Sequence, residues 1–250
     1  MSQTETIHDI LGGRPTVRSM NGMVAAAHPL AANAGAEILR KGGNAFDAVA
    51  ATAAALNVVE PFMSGLAGAG GASFFLAEDS TVGTIDFIPP VPSQFDSAAV
   101  SKSDTVTGAC ASATPGNLAG WYALQNRHGR LEFADVLKPA IELAKDGFPV
   151  SGFFTTLTRA SLGGSRIRNG DESFARITTG KWVRYCSCHD LSETLSQIAA
   201  DGIGCLYGGA LAKNWLLEFR PATALFQWAI LNRCHRCGRH PFRPVTAICR

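Results

Sequence analysis

The alternation of apolar and polar residues early in the chain predicts a first helix. Leu30, Ala34 and Ile38 recur at i, i+4 and i+8, which places them on one stripe of a helix. His28-Pro29 stands before this stripe, and proline suits the first turn of a helix because its φ is already fixed there. Gly42-Gly43 follows the stripe and can supply the positive φ at which helices commonly stop.

A second helix is predicted directly after the first. Asn44 is a typical N-cap residue, and Asp47 lies three residues later, close to a capping box. The segment from Ala45 to about Asn57 is apolar on nearly all sides and rich in alanine, which is typical of a buried helix with close neighbours. Pro61 ends the pattern, because the residue before a proline disfavours helical backbone.

The next segment predicts a glycine loop followed by a β-hairpin. Residues 63–71 hold four glycines and three other small residues in close succession, and an apolar run from Ala72 to Ala77 predicts a buried strand. Residues 78–80 read as a turn, and Thr81–Phe87 predicts the second strand. The prolines that follow at 89, 90 and 92 stop sheet pairing.

Three more helices are predicted further along the chain. The first starts near Leu118 and is expected to end at Gly129 in a left-handed conformation. The second covers Phe133–Lys145, whose apolar residues are spaced for one helix face, and the third covers Ser192–Ala200. The chain is therefore expected to be mixed α and β, and rich in helix.

Composition narrows the class of protein. With 250 residues, 46% hydrophobic and 17% charged, the chain is expected to fold as one large or two small globular domains. A net charge of +2 with no early clustering of Lys and Arg predicts no nucleic-acid partner. The first twenty residues lack the pattern of a secretory signal and no run of about 18 apolar residues occurs, which predicts a cytoplasmic protein without a membrane partner.

The cysteines raise the question of a metal site. Seven are present, and without a signal peptide they are expected to be reduced: Cys110, Cys186, Cys188, Cys205, Cys234, Cys237 and Cys249. Cys234, Cys237 and His240 suit zinc chemically, but the fourth ligand of a tetrahedral site could only be Cys249 or a distant thiol. We therefore predict no metal and no cofactor.

The first two helices also carry a family resemblance. The stretch resembles the opening of the large subunit of γ-glutamyltransferases in five features: His28-Pro29, residues 38–45, Asp47-Ala48, Glu60-Pro61 and residues 63–66. These enzymes are N-terminal-nucleophile hydrolases, made as one precursor that cleaves itself into two subunits. The alternative is an unrelated alanine-rich α/β segment.

Further matches follow in the same order, so that the resemblance covers roughly residues 14–217, with 151–188 poorly matched. It implies the large-subunit portion of a four-layer αββα sandwich. We expect a family-like fragment at 1–219 and a non-family tail at 220–250. The tail holds six arginines and no acidic residue, as a shifted reading frame or a rearranged end would give.

The resemblance implies amide hydrolysis or acyl transfer at γ-glutamyl compounds such as glutathione, through a covalent acyl-enzyme. The family nucleophile is a threonine activated by its own α-amine, and it opens the small subunit in a Thr-Thr-His-type stretch. Neither Thr155-Thr156 nor Thr178-Thr179 is followed by histidine, and Ser64 lacks the glycine pattern of a nucleophile elbow. We therefore predict no catalytic residue here, and a small-molecule amide substrate only when a small subunit completes the site.

One position departs from the family pattern. In γ-glutamyltransferases, an arginine after the second hairpin strand holds the α-carboxylate of the glutamyl group, and Ile88 falls near that position. A guanidinium makes two parallel hydrogen bonds to a carboxylate, and isoleucine makes none. Either the substrate lacks that carboxylate or another group binds it. A related amidohydrolase for a non-glutamyl amide, favoured by Ile88, and an inactive truncated fragment are therefore kept as alternatives.

Overall fold

The computed structural model describes residues 16–89, 98, 101–103, 114–162 and 185–213, with side chains described only through 157 in the segment that ends at 162. We number the elements in chain order. The helices are α1 (Pro29–Arg40), α2 (Ala45–Val59), α3 (Asn117–His128), α4 (Phe133–Asp146), α5 (Gly152–Leu162) and α6 (His189–Asp201). The strands are β1 (Gly71–Leu76), β2 (Thr81–Asp86), β3 (Phe148–Pro149) and β4 (Tyr185–Cys186), and a 3₁₀ turn covers Ile203–Cys205.

Helix α1 begins as predicted, with an added contact at its first turn. Pro29 takes the first helical position, and the Nδ1 atom of His28 accepts a hydrogen bond from the backbone N–H of Leu30 at 3.2 Å. The helix ends where Gly42 adopts a φ of +93°, which confirms the predicted stop.

Helix α2 is the buried centre of the structure. Its capping box is complete: the Asn44 side chain accepts from the N–H groups of Phe46 and Asp47, and the Asp47 carboxylate accepts from the Asn44 N–H. Ten of its residues are buried, which confirms the prediction of a buried helix. The helix runs to Val59, two residues beyond the predicted end near Asn57, and stops at Glu60 before the proline.

Helices α1 and α2 pack so closely that the backbone of α1 at Gly35 contacts α2 directly. A methyl group on Gly35 of α1 would collide with the Thr52 hydroxyl and lie 3.0 Å from the Ala48 carbonyl oxygen on α2. The Thr52 hydroxyl is directed back onto its own helix, where it donates to the Ala48 carbonyl at 2.7 Å. The small residues of α2 therefore set the distance between the two helices.

Enlarging either small residue should disrupt this contact. We expect Ala48→Leu and Thr52→Leu each to lower the free energy of unfolding by about 1–3 kcal/mol, the usual cost of overpacking. Val49→Leu on the exposed side of α2 is the matched control and should change it by less than about 0.5 kcal/mol. Urea denaturation of the three variants provides the measurement. Equal midpoints for all three would show that α1 and α2 can separate without cost.

Strands β1 and β2 form the predicted antiparallel hairpin, joined through residues 77–80. The register pairs Phe75 with Val82 and Phe74 with Gly83. The prediction that the first strand is buried was wrong, because exposure alternates along β1 and the Phe75 side chain is 60% exposed. Only one face of this hairpin packs on the helices, and an apolar run cannot be distinguished by sequence from a strand covered on both faces.

Helices α3 and α4 pack against α2, and α6 packs against α4, which completes the core. The apolar residues predicted for α4 line its inner face, with Val136, Leu137 and Ala140 fully buried. The left-handed conformation predicted for Gly129 was wrong, since its φ is −72°. Glycine is needed there for space instead: a methyl group at Gly129 would collide with the Asp47 carboxylate.

Strands β3 and β4 pair antiparallel, Phe148 with Cys186 and Pro149 with Tyr185, and are too short for a sequence pattern to have predicted them. No helix in the described part of the chain is long and apolar enough to span a membrane. The boundary expected at residue 219 lies outside the described residues and stays a prediction.

Candidate functional site

Three separate segments meet where the chain leaves strand β2 of the hairpin. They are the glycine loop (residues 63–70), the strand exit (residues 87–89) and the turn that precedes α3. A methyl group on Gly116 would collide with the Phe87 carbonyl oxygen, and would lie 3.1 Å from the Gly68 carbonyl oxygen and 3.2 Å from Pro89 Cδ. We call this meeting point the loop junction, and the strand exit brings Ile88 to it.

Phe87 is the apolar centre of the loop junction. Its side chain is 6% exposed, and its N–H donates to the Gly70 carbonyl at 2.9 Å. A methyl group on Gly120 of α3 would collide with the first atoms of the phenyl ring, and one on Gly70 would lie 2.7 Å from Phe87 Cε2. The sequence predicted Phe87 as the last residue of the second strand. In the structure the strand ends at Asp86, because Phe87 pairs with the loop instead.

Asn117 joins the glycine loop to α3. Its side-chain Nδ2 donates to the Gly65 carbonyl at 2.7 Å, and the backbone N–H groups of Gly116 and Asn117 both donate to the Gly68 carbonyl at 2.9 Å. The Leu118 N–H donates to the Leu66 carbonyl at 3.4 Å. The first turn of α3 is therefore bonded to the loop, and its N–H groups are not free for an anion.

A second long-range hydrogen bond to the first turn of α3 comes from Tyr207, near the C-terminal end of the described residues. The Tyr207 hydroxyl accepts from the Ala119 N–H at 3.0 Å, although the two residues are 88 positions apart. Tyr207 lies in the turn at residues 206–209. This turn therefore has a structural role at the start of α3.

Ile88 lies at the surface of the loop junction. Its side chain is 67% exposed, and its N–H donates to the Asp86 carboxylate oxygen Oδ1 at 2.9 Å. The buried neighbour Phe87 fixes the backbone on one side of Ile88. The position matched to the family's arginine thus presents an apolar side chain beside an acidic one.

The candidate nucleophiles considered from the sequence are held in other interactions. Ser64 donates its hydroxyl to the Asn57 Oδ1 at 2.8 Å, and the hydroxyls of Thr155 and Thr156 donate to the carbonyl oxygens of Ser151 and Gly152. Burial raises the pKa of the Cys205 thiol, which keeps it in the unreactive protonated form. Thr178-Thr179 lies outside the described residues.

The long-range hydrogen bonds of Asp47 were not predicted from the sequence. Its side chain is fully buried, and besides the capping bond its carboxylate accepts from the Gln125 Nε2 at 2.9 Å and from the backbone N–H groups of Arg130 and Leu131. The capping box was visible in the sequence. The long-range bonds were not, because donors 78 to 84 residues away are specified only by the fold.

A cluster of rings adjoins Asp47. His128 stacks on Phe46 with ring centroids 4.7 Å apart, and Phe74 of the hairpin approaches both rings. Burial lowers the pKa of His128, and the positive charge of Arg127 acts in the same direction. The imidazole is therefore neutral at neutral pH and serves as an apolar contact between α3 and β1.

The described residues contain no group of three or more His, Cys, Asp and Glu side chains that could hold a metal ion. Cys110, Cys234, Cys237, His240 and Cys249 lie outside the described residues, and the expectation that they bind no zinc stays a prediction.

Comparison with known proteins identifies the fold around the loop junction. A sequence model described as gamma-glutamyltranspeptidase matches residues 31–225, which is more than half of the chain. The chain belongs to the gamma-glutamyltranspeptidase family. The family resemblance derived from residues 14–217 is thereby confirmed.

Relatives of two kinds are similar to this family member. The Acylase ACY 1 proenzyme of Pseudomonas sp. (strain SE83) is 37% identical over 208 residues, which cover 77% of this chain and 37% of the acylase. The glutathione hydrolase proenzyme of Bacillus subtilis (strain 168) is 31% identical over 219 residues, covering 78% of this chain and 35% of the hydrolase. The chain thus spans little more than a third of the length of these curated relatives.

Solved structures of the family share the fold. The gamma-glutamyltranspeptidase of Helicobacter pylori aligns with a TM-score of 0.72 at 26% identity, over 83% of this chain and 62% of that one. The cephalosporin acylase of Bacillus halodurans aligns with a TM-score of 0.77 at 27% identity, over 93% of this chain and 45% of the acylase. The fold is therefore the helix-rich large-subunit portion of the N-terminal-nucleophile hydrolase sandwich, as the resemblance implied.

Proposed function

We propose that this chain forms one wall of an amide-cleaving site that further family sequence completes. The reaction is transfer of an acyl group from a small-molecule amide to a nucleophile, and then to water or an amine. The observation that carries the proposal is the family match over residues 31–225, which contains every segment of the loop junction.

The chemistry divides between this chain and the sequence that completes it. In N-terminal-nucleophile hydrolases, a threonine hydroxyl attacks the amide carbon while its own α-amine takes the proton, since an amine of pKa near 8 can act as a base at neutral pH. The serine and threonine hydroxyls at 64, 155 and 156 donate to acceptors of their own, and the α-nitrogens of these internal residues are in peptide bonds and cannot act as the base. We therefore assign acyl-group binding to this chain and the nucleophile to a second subunit.

The side chain of Ile88 influences which acyl groups the site accepts. A glutamyl substrate brings an α-carboxylate, and a carboxylate that loses water without gaining a cationic partner is strongly disfavoured. At the loop junction that carboxylate would meet the apolar Ile88 side chain and the acidic Asp86. We infer a preference for amides whose acyl group carries no α-carboxylate, in keeping with the acylases among the similar proteins.

Hydrolysis of γ-glutamyl amides is the second candidate, favoured by the likeness to glutathione hydrolases. An inert chain is the third, and activity separates all three. Residues 31–225 would replace the matching part of the Bacillus subtilis glutathione hydrolase proenzyme, giving a hybrid enzyme with a complete second subunit. Self-cleavage of the hybrid into two polypeptides reports that it has folded, and the 250-residue chain alone serves as the inactive control.

We expect the hybrid to release nitroaniline from butyryl-4-nitroanilide faster than from γ-glutamyl-4-nitroanilide, compared by kcat/KM. Ile88→Arg should shift the ratio toward the glutamyl substrate by about a hundredfold or more, since an uncompensated buried carboxylate costs roughly 3 kcal/mol or more. Val49→Arg, an exposed position on α2, controls for added charge. A cleaved hybrid that prefers the glutamyl substrate before the change would contradict the role of Ile88, and one inactive on both amides would contradict the proposed function.

A further inference from the structure

The middle of the glycine loop is held at the loop junction by hydrogen bonds from α3. Residues 63–70 have no regular secondary structure. The two ends of the loop are bonded at Ser64, whose hydroxyl donates to Asn57 Oδ1, and at Gly70, whose carbonyl accepts from the Phe87 N–H. Between these ends, the carbonyl oxygens of Gly65, Leu66 and Gly68 each accept a hydrogen bond from the first turn of α3.

Asn117 provides the one side-chain bond in this set. It is 7% exposed, and its amide group reaches the Gly65 carbonyl, 52 residues earlier in the sequence, at 2.7 Å. The other bonds come from backbone N–H groups, which any residue except proline would supply. Of the hydrogen bonds that α3 makes to the loop, the bond to Gly65 is therefore the one that a side-chain substitution at position 117 removes.

The loop also faces the strand exit. The Gly68 carbonyl, the Phe87 carbonyl and Pro89 all lie around the Cα atom of Gly116, and Ile88 stands between the last two. A shift of the loop would change the space beside Ile88, because the glycines at 68, 70 and 116 leave no side chain between these backbones.

We propose that Asn117 is a positioning residue. Its amide donor clamps Gly65 to α3 and so fixes the glycine loop as the wall opposite Ile88 in the acyl-binding site. The inference rests on the proposed function for the identity of the site, whereas the clamp itself rests on the contacts described above.

Asn117→Asp tests the donor with almost no change of shape. The carboxylate cannot donate to the Gly65 carbonyl and repels it, yet a negative charge in the first turn of a helix favours the helix. Hydrogen exchange of the 250-residue chain, measured by mass spectrometry, should show at least about tenfold faster exchange in the peptide spanning residues 63–70. Exchange within α3 should stay equal or slow down. Asn126→Asp, at an exposed position of the same helix, should change neither.

The hybrid enzyme tests the consequence for the site. We expect Asn117→Asp to raise KM for butyryl-4-nitroanilide at least about tenfold with kcat changed less, because a displaced wall weakens binding of the substrate and of the transition state together. Unchanged exchange in residues 63–70 overturns the clamp, and faster exchange with unchanged KM overturns the positioning role. An inactive but self-cleaved hybrid carrying Asn117 refutes the proposed function and with it the positioning role. The exchange experiment still decides separately whether Asn117 holds the loop.

Discussion

Asp47→Ala should lower the free energy of unfolding by at least about 3 kcal/mol. The carboxylate is fully buried and accepts from the Asn44 N–H, the Gln125 side chain and the N–H groups of Arg130 and Leu131. Alanine leaves several of these donors without an acceptor, and each unsatisfied buried group costs about 1–3 kcal/mol. The loss should be seen as a lower urea midpoint with an unchanged denaturant slope.

Two variants make the Asp47 experiment specific. Asp135→Ala removes a carboxylate from the surface of α4, where it pairs with Lys138 while its side chain stays 48% exposed, and should cost less than about 1 kcal/mol. Asp47→Asn keeps the shape and one acceptor oxygen but points an NH₂ group at a donor, so its cost should lie between the other two. If Asp47→Ala is no worse than Asp135→Ala, the carboxylate does not carry the contacts between α2 and the segment after α3.

The difference between local and long-range contacts explains how much the sequence could predict. Pro29, Gly42 and the capping box of Asn44 act within four residues, and all three predictions are confirmed. The error at Gly129 arose because its neighbour is Asp47, which only the fold brings there. A glycine that is needed for space gives the same sequence signal as one needed for positive φ.

The candidate site follows the same rule. The position of Ile88 came from family resemblance and from its place after a predictable hairpin. The residues that build the loop junction around it were not predicted. Asn117 and Tyr207 act through contacts with residues 52 and 88 positions away, and neither stands in a pattern that distinguishes it from an ordinary helix or turn residue.

The effect of Gly120→Ala on the free energy of unfolding should change sign when Phe87 is replaced by alanine. Phe87→Ala is expected to cost about 3–5 kcal/mol, because it empties the buried centre of the loop junction. Gly120→Ala would stabilise an ordinary helix by close to 1 kcal/mol, since glycine is a poor helix former. Here the new methyl group meets the Cγ and Cδ atoms of the Phe87 ring, which cannot swing away as the tip of a long side chain can.

We therefore expect Gly120→Ala to destabilise the protein by about 1–3 kcal/mol when Phe87 is present. With Phe87 replaced by alanine, the same change should become neutral or stabilising, because the methyl group then has room and the helix gains its propensity. The four free energies of unfolding give the coupling between the two positions, expected at about 1–3 kcal/mol. Additive effects would show that the ring does not pack against Gly120, and the loop junction would then need another residue to hold the strand exit against α3.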